Sequence, residues 1–289
     1  MATTFLDGRD GIRLAADVAG PDEGAPVLLL HGGGQTRHSW AGTAGVLAAQ
    51  GWRVVSLDLR GHGESAWDPA GDYTLDAFAD DISAVASGFE RRPALVGASL
   101  GGISSMAAIA DAGGGGEVAS SLTLVDVAHR IEIDGRDRIG AFMTAAPDGF
   151  ASLEEAADAI AAYNPHRPRP KDLSGLSKNL RRREDGRWAW HWDPAFVRGR
   201  WGSPDETRTS LVDPGRLERA AAALTLPTLL VRGRSSDLLS EEGARAFLEL
   251  VPQTRFADVA GAGHMVAGDR NDIFNQAILE FLDEHRPAA

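Results

Sequence analysis

Four groups of residues in this sequence have the types and spacing for acyl transfer. The first is a serine in Gly97-Ala98-Ser99-Leu100-Gly101, a G-x-S-x-G pattern. A serine so placed needs a strand before it, a helix after it, and a turn between them so sharp that only small neighbours fit. Ala94-Leu95-Val96 reads as the strand, and Gly101 to Ile109 as a helix able to pack closely on a sheet. Alone the pattern says little in a chain with 34 glycines. Its company says more.

A serine hydroxyl is a poor nucleophile until a base takes its proton. His264, in Gly261-Ala262-Gly263-His264-Met265, follows the strand-like run Phe256–Val259 and precedes the last helical pattern, which makes it the candidate base. His31 and His62 sit beside glycines and are read as shaping loops. His38 opens a helix, His129, His166 and His191 fall in a distinct middle stretch, and His285 lies in the tail. An acid must orient the base. Asp237 lies between a strand and a helix and is favoured. Asp126 ends the run Leu122–Val125 and is its rival, with local structure as much as chemistry to explain it. Finally, His31-Gly32-Gly33-Gly34 leaves the strand Val27–Leu30. Acyl transfer builds an oxyanion that needs fixed N–H donors, and glycines let backbone N–H groups approach a substrate unobstructed.

These residues need a frame. Thr3–Leu6 and Ile12–Val18 around Asp10-Gly11 read as a hairpin. The runs Val27–Leu30, Val54–Leu57, Ala94–Val96, Leu122–Val125, Thr228–Val231 and Phe256–Val259 are short and largely apolar, which reads as strands buried on both faces. Helical periodicity separates them: Leu75, Phe78, Ile82 and Val85 behind a Thr74 cap, Ala244, Phe247, Leu248 and Val251 behind a Ser240 cap, and Ile273 to Leu282 at the end. Alternating strands and helices predict a mostly parallel sheet covered on both faces.

The alternation stops between residues 128 and 212. That stretch carries 14 basic and 13 acidic residues, whereas the whole chain has 29 and 41 and a net charge of −12. It also holds four of the seven tryptophans and the irregular Asn164–Pro170 segment. It reads as an insertion into an α/β core of 1–127 and 213–289, the alternative being ordinary sheet-covering helices. Gly113 to Gly116 is read as a flexible loop. The absence of cysteine excludes disulfides, Cys-ligated metals and a thiol nucleophile. The acidity argues against nucleic-acid binding. The start of the chain has no leader pattern and no apolar run spans a bilayer, so a soluble cytoplasmic protein is expected, with no membrane partner.

The motifs together resemble the α/β-hydrolase superfamily: His31-Gly32-Gly33-Gly34, Asp58-Leu59-Arg60-Gly61-His62-Gly63-Glu64-Ser65, Gly97-Ala98-Ser99-Leu100-Gly101, Arg232–Asp237 and Gly263-His264. The branch it looks like is the capped serine hydrolases: carboxylesterases, lactonases and cofactor-free haloperoxidases or perhydrolases. The resemblance implies an eight-stranded sheet whose second strand is antiparallel, and a mainly helical cap after the sixth. It implies Ser99 as nucleophile, His264 as base and Asp237 as acid. The oxyanion donors would be the N–H groups of Leu100 and Gly33, with Gly34 as a substitute. Gly33 stands where many relatives carry a larger residue, which would leave room beside the acyl carbon. Asp58–Ser65 would supply structure. Epoxide hydrolases and dehalogenases of this fold use aspartate where Ser99 stands.

The expected activity is hydrolysis of carboxylic esters or lactones, without cofactor or metal, on a small-molecule substrate; a homodimer is compatible with it. Peroxide as acceptor or C–C cleavage would use the same triad, and a receptor would keep the fold without fast turnover. Trp188, Trp190 and Trp192 alternate, so on a strand they share a face, which either lines the pocket or packs the cap. Arg181-Arg182-Arg183 reads as a solvated face rather than an anion site.

Overall fold

The structure is a computed structural model that describes residues 2–163, 169, 172–201, 213–260 and 271–287. Its frame is an eight-stranded sheet. In chain order the strands are β1 (Ala2–Asp7), β2 (Arg13–Ala19), β3 (Ala25–Leu30), β4 (Trp52–Leu57), β5 (Ala94–Ala98), β6 (Ser121–Val125), β9 (Thr228–Gly233) and β10 (Thr254–Val259). Their spatial order is β1-β2-β4-β3-β5-β6-β9-β10. Only β2 runs against its neighbours, pairing antiparallel with both β1 and β4. The others pair in parallel.

The apolar runs other than Phe256–Val259 become inner strands because side chains alternate across the sheet and both faces are covered, whereas β10 is an edge strand with Phe256 exposed. In β3, Leu28 and Leu30 enter one core, and Val27 and Leu29 the other. The first core also takes residues of α2 (Leu75–Ser87), α3 (Leu100–Asp111), α7 (Pro214–Ala222) and α8 (Glu241–Leu250). The second takes Leu47 of α1 (Ala41–Ala49) and Phe274, Ile278 and Phe281 of α9 (Asn271–Glu284). Both expected caps form: Thr74 Oγ1 accepts from Ala77 N–H and Ser240 Oγ from Gly243 N–H. Among the described residues no helix is long and apolar enough to cross a membrane.

Between β6 and β9 the described residues add no strand to this sheet. It forms α4 (Ile133–Thr144), α5 (Leu153–Tyr163), a two-stranded ribbon of β7 (Leu180–Arg182) and β8 (Trp188–Trp190), and α6 (Pro194–Trp201). Phe150, Ala156 and Leu180 form a small core of its own. Part of Asn164–Pro170 lies outside the described residues.

The glycine tract differs from its expected flexibility. Gly114 has φ +80°, its N–H donates to Ile109 O at 2.8 Å, and its carbonyl accepts from Thr225 N–H at 2.8 Å. A Cβ there would lie 1.8 Å from the Ala223 carbonyl oxygen. The tract is a tight turn that ends α3 and docks on the end of α7, and only glycine meets both demands. Gly114→Ala should therefore cost about 1–3 kcal/mol in a denaturant titration. Gly116→Ala, whose Cβ would be 3.9 Å from the nearest oxygen, should stay within about 0.5 kcal/mol of the parent.

Candidate active site

Ser99 occupies the single residue between β5 and α3, with φ +45° and ψ −110°. For a residue with a side chain this conformation costs about 1–3 kcal/mol and persists only if neighbours enforce it. They do so by proximity. A Cβ on Gly97 would lie 2.5 Å from the Gly101 carbonyl group, and one on Gly101 would lie 2.5 Å from Leu30 O. Gly101 N–H donates to His31 O at 3.1 Å, and Ser99 N–H donates to Val125 O at 3.2 Å. The hydroxyl thus stands at the N-terminus of α3, where the first N–H groups lack helical partners and the helix dipole favours negative charge. Leu100 N–H is one of these.

The glycine loop leaves β3 against this turn. A Cβ on Gly32 would touch Ser99 Cβ at 3.4 Å. Three successive peptide groups of the loop are each held by a different histidine. His31 Nε2 accepts from Leu59 N–H at 3.0 Å, so its Nδ1 carries the proton and donates to Gly32 O at 2.8 Å. His62 Nε2 accepts from Gly34 N–H at 3.2 Å while its Nδ1–H donates to Arg60 O at 2.9 Å. His191 Nδ1 accepts from Gly63 N–H at 2.7 Å, leaving Nε2–H to donate to Gly34 O at 3.2 Å. Because a peptide is planar and trans, holding Gly32 C=O also aims Gly33 N–H the opposite way. Among the described residues Gly33 N–H meets no acceptor. Gly32 N–H donates to Gln35 Oε1 at 3.0 Å, and Gly34 N–H is occupied by His62. Gly33 and Leu100 therefore hold the open donors, and Gly34, the substitute, does not.

The space beside Gly33 is not vacant as expected. A Cβ there would lie 3.6 Å from Phe196 Cζ, so a ring from α6 stands in the room left by the small residue. Phe196 also meets His62 edge-on at 4.6 Å. Around Gly34, Trp192 Cζ3 and Met143 Cε would each be 3.3 Å from an added Cβ. Trp190 stacks on Trp192 at 4.8 Å and packs against Phe150, while Trp188 joins the small core beneath. The alternating tryptophans thus divide their work: Trp192 borders the glycine loop, and Trp188 packs within the segment between β6 and β9. Beyond the stack lies a cavity of about 740 Å³ whose lining includes Arg138, Phe142, Phe150, Tyr163 and Trp190.

Asp58–Ser65 has the structural part expected of it. Asp58 is buried and accepts from the N–H groups of Arg37 and Glu64, and its carboxylate pairs with the buried Arg37 guanidinium. Arg60 forms a two-point pair with Asp81 at 2.6 and 2.7 Å. Arg181, Arg182 and Arg183 are exposed, although the first also donates to Gly63 O.

The two candidate acids differ sharply. The Asp237 side chain is 37% exposed, and its carboxylate meets Arg138 of α4 at 2.9 Å. Gly135, three residues earlier, lets α4 approach: its Cβ would lie 2.2 Å from Asp237 O. Asp126 is fully buried with φ +53°. Its carboxylate accepts from Gly233 N–H at 2.9 Å and from Ser236 Oγ at 2.5 Å, bracing the turn that leads to Asp237. His264 lies outside the described residues. Among the described residues no cluster of three or more His, Asp or Glu side chains is arranged to hold a metal ion. His191 and Phe196 are the site residues that sequence reasoning missed. Neither carries a local signal, since each acts by a tertiary contact.

A sequence profile of the alpha/beta hydrolase family matches residues 27–277. The esterase Rv0045c of Mycobacterium tuberculosis is 28% identical over 267 residues, 89% of this chain and 82% of its own. A solved structure of that esterase aligns with a TM-score of 0.74 at 26% identity, covering 98% of this chain and 92% of the other. Mouse protein phosphatase methylesterase 1 is 34% identical over 142 residues, 46% of this chain and 36% of its own length. E-2-(acetamidomethylene)succinate hydrolase aligns with a TM-score of 0.82 over 98% of this chain and 99% of the other, at 24% identity, a likeness of fold alone.

Burial pushes the basicity of His31 down, and that of His191 down to about 3. In the unfolded chain both rings titrate near 6.5, so the unfolded state binds more protons as pH falls. Their contribution to stability is whole above about pH 6.5 and is lost progressively as pH drops toward about 3. The urea midpoint should fall between about pH 7.5 and about pH 5. His191→Gln, which cannot titrate, should show a shallower fall; an unchanged slope would mean that His191 contributes nothing to it.

Proposed function

The chain belongs to the α/β-hydrolase family, and from that premise we propose that it is a serine esterase working through an acyl-enzyme. The observation that carries this reading is Ser99 on a left-handed strand-to-helix turn against a glycine loop whose Gly33 N–H is open. The esterase relative of M. tuberculosis supports the choice of ester substrates.

In the proposed cycle His264 takes the Ser99 proton as Oγ attacks the ester carbonyl carbon. The carbonyl oxygen, now negative, rests on Gly33 and Leu100 N–H groups at the positive end of α3. The C–O bond to the alcohol breaks, and the alcohol leaves with the proton from His264. Water, deprotonated by the same histidine, then attacks the acyl-enzyme, and Ser99 recovers its proton. Lactones fit the same steps, with the alcohol staying tethered to the product.

Residues 128–212 are read as a cap over this site. Phe196, Trp192 and Met143 beside the glycine loop support that reading and favour an apolar acyl group. Asp237 is read as the acid that orients His264. A second reading exchanges it for Asp126, favoured by the complete burial of that carboxylate and by the Arg138 pairing and exposure of Asp237.

Ser99→Ala should lower nitrophenyl-ester turnover at least about 10³-fold and abolish labelling by a fluorophosphonate. Full activity in this variant would end the esterase reading. Asp237→Asn should lower kcat by about 10³-fold or more with the melting temperature nearly unchanged. Wild-type activity in Asp237→Asn, together with a large loss in a folded Asp126→Asn, would move the role to Asp126.

A further inference from the structure

The site contains one histidine that the chemistry above does not use and that comes from the inserted segment. We propose that His191 is a positioning residue for ester hydrolysis. By donating to Gly34 O it fixes the third peptide of the oxyanion loop, so docking of the cap and assembly of the oxyanion hole are a single event. The inference rests on the reading of Gly33 N–H as an oxyanion donor.

The geometry is that of a clamp with one jaw in each part of the chain. His31 and His62 belong to the core and hold the Gly32–Gly33 and Gly33–Gly34 peptides. The Gly34–Gln35 peptide is held on its carbonyl by His191 and on its N–H by Gly32 O at 3.0 Å. Gly34 has φ +75° and no side chain to anchor it. Without the His191 bond, rotation of that last peptide would be opposed mainly by the loop's own turn. Its rotation would tilt the Gly33–Gly34 plane and with it the open donor.

His191 is itself firmly placed. It is 2% exposed, its ring meets His62 at 5.8 Å and Trp192 at 5.3 Å, and its own N–H donates to Asn179 O. Next to it, Asp193 N–H donates to Gly61 O at 2.8 Å, and Tyr73 Oη donates to the Asp193 carboxylate at 2.5 Å. The segment 191–193 is thus bonded to both core loops, 31–37 and 58–65. Its burial keeps the ring neutral, as the bond pattern requires, because a proton on Nδ1 would remove the acceptor that Gly63 N–H uses.

Two near-isosteric substitutions separate positioning from mere packing. The amide of His191→Gln can reach the place of Nε2 and donate to Gly34 O. The amide of His191→Asn can reach only the place of Nδ1, keeping the Gly63 contact and losing the Gly34 one. With a nitrophenyl ester, the Asn variant should lose about 10-fold in kcat with KM changed little, less than the loss on deleting a donor outright. Its affinity for an alkyl boronic acid, which binds as a tetrahedral adduct, should weaken in parallel. The Gln variant should stay within about 3-fold of wild type in both readouts. Equal kcat in all three proteins, a loss confined to KM, or a Gln variant as impaired as the Asn one would overturn the proposal. A wild type that neither turns over esters nor takes a fluorophosphonate label would defeat the esterase reading, and this inference with it.

Discussion

An oxyanion hole made of backbone N–H groups must be rigid, yet the residues that leave those groups uncovered are the ones with most freedom to lose. Gly32, Gly33 and Gly34 have no side chains with which to fasten themselves. Their order comes from outside, from rings that meet each peptide at one polar atom. That requirement explains why three histidines are sunk in this part of the molecule and why each is neutral with a defined tautomer. A buried imidazole can accept from one backbone group and donate to another, bridging two loops without burying a charge.

The same requirement organises what lies further out. The second loop, 58–65, must itself be fixed if it is to hold the first. Asp58 does this by gathering backbone N–H groups from residues 37 and 64 around one buried carboxylate, with Arg37 as its counter-charge. Such a pair contributes little net stability by itself, because desolvation offsets most of the attraction. Its value is geometric. Gly63 is held to glycine for a related reason, since a Cβ there would lie 2.0 Å from the Asp58 carboxylate. On the other side of the site, Ser99 is forced into its strained turn by the close approach of Gly97 and Gly101 to their surroundings. Strain at Ser99 and order in the loop both draw on one sheet end, where β3, β5 and β6 stop side by side.

The inner strands of the sheet were plain in the sequence because burial on both faces leaves a largely apolar run; Phe256–Val259 also became a strand, but at the exposed edge, where Asp258 breaks the run. The helix starts at Thr74 and Ser240 were plain because capping is local chemistry. The turn at Ser99 was legible as small residues between a strand and a helix. Other features depend on contacts distant in the chain. Nothing near His191 or Phe196 tells that they reach the glycine loop, and nothing near Arg37 tells that it is buried. The flexible reading of Gly113 to Gly116 failed for the same reason: the partner that packs against Gly114 is Ala223, over a hundred residues away. The β7–β8 ribbon could have been found. Asp185-Gly186 is an ordinary hairpin signal, and Gly186 takes the positive φ it calls for. It was hidden by the helical patterns on either side.

The central claim is that Gly33 and Leu100 present the two donors for the oxyanion, with His62 and His191 holding the loop behind them. The crystal structure of the protein after reaction with an alkyl phosphonate tests it most directly, because the phosphonyl oxygen occupies the place of the oxyanion. The account predicts phosphorus bonded to Ser99 Oγ. It also predicts one phosphonyl oxygen about 2.7–3.1 Å from both the Gly33 and Leu100 nitrogens, with Gly34 still bonded to the two histidines. An oxygen held by Gly34 N–H with His62 displaced, or phosphorus on another residue, would contradict it.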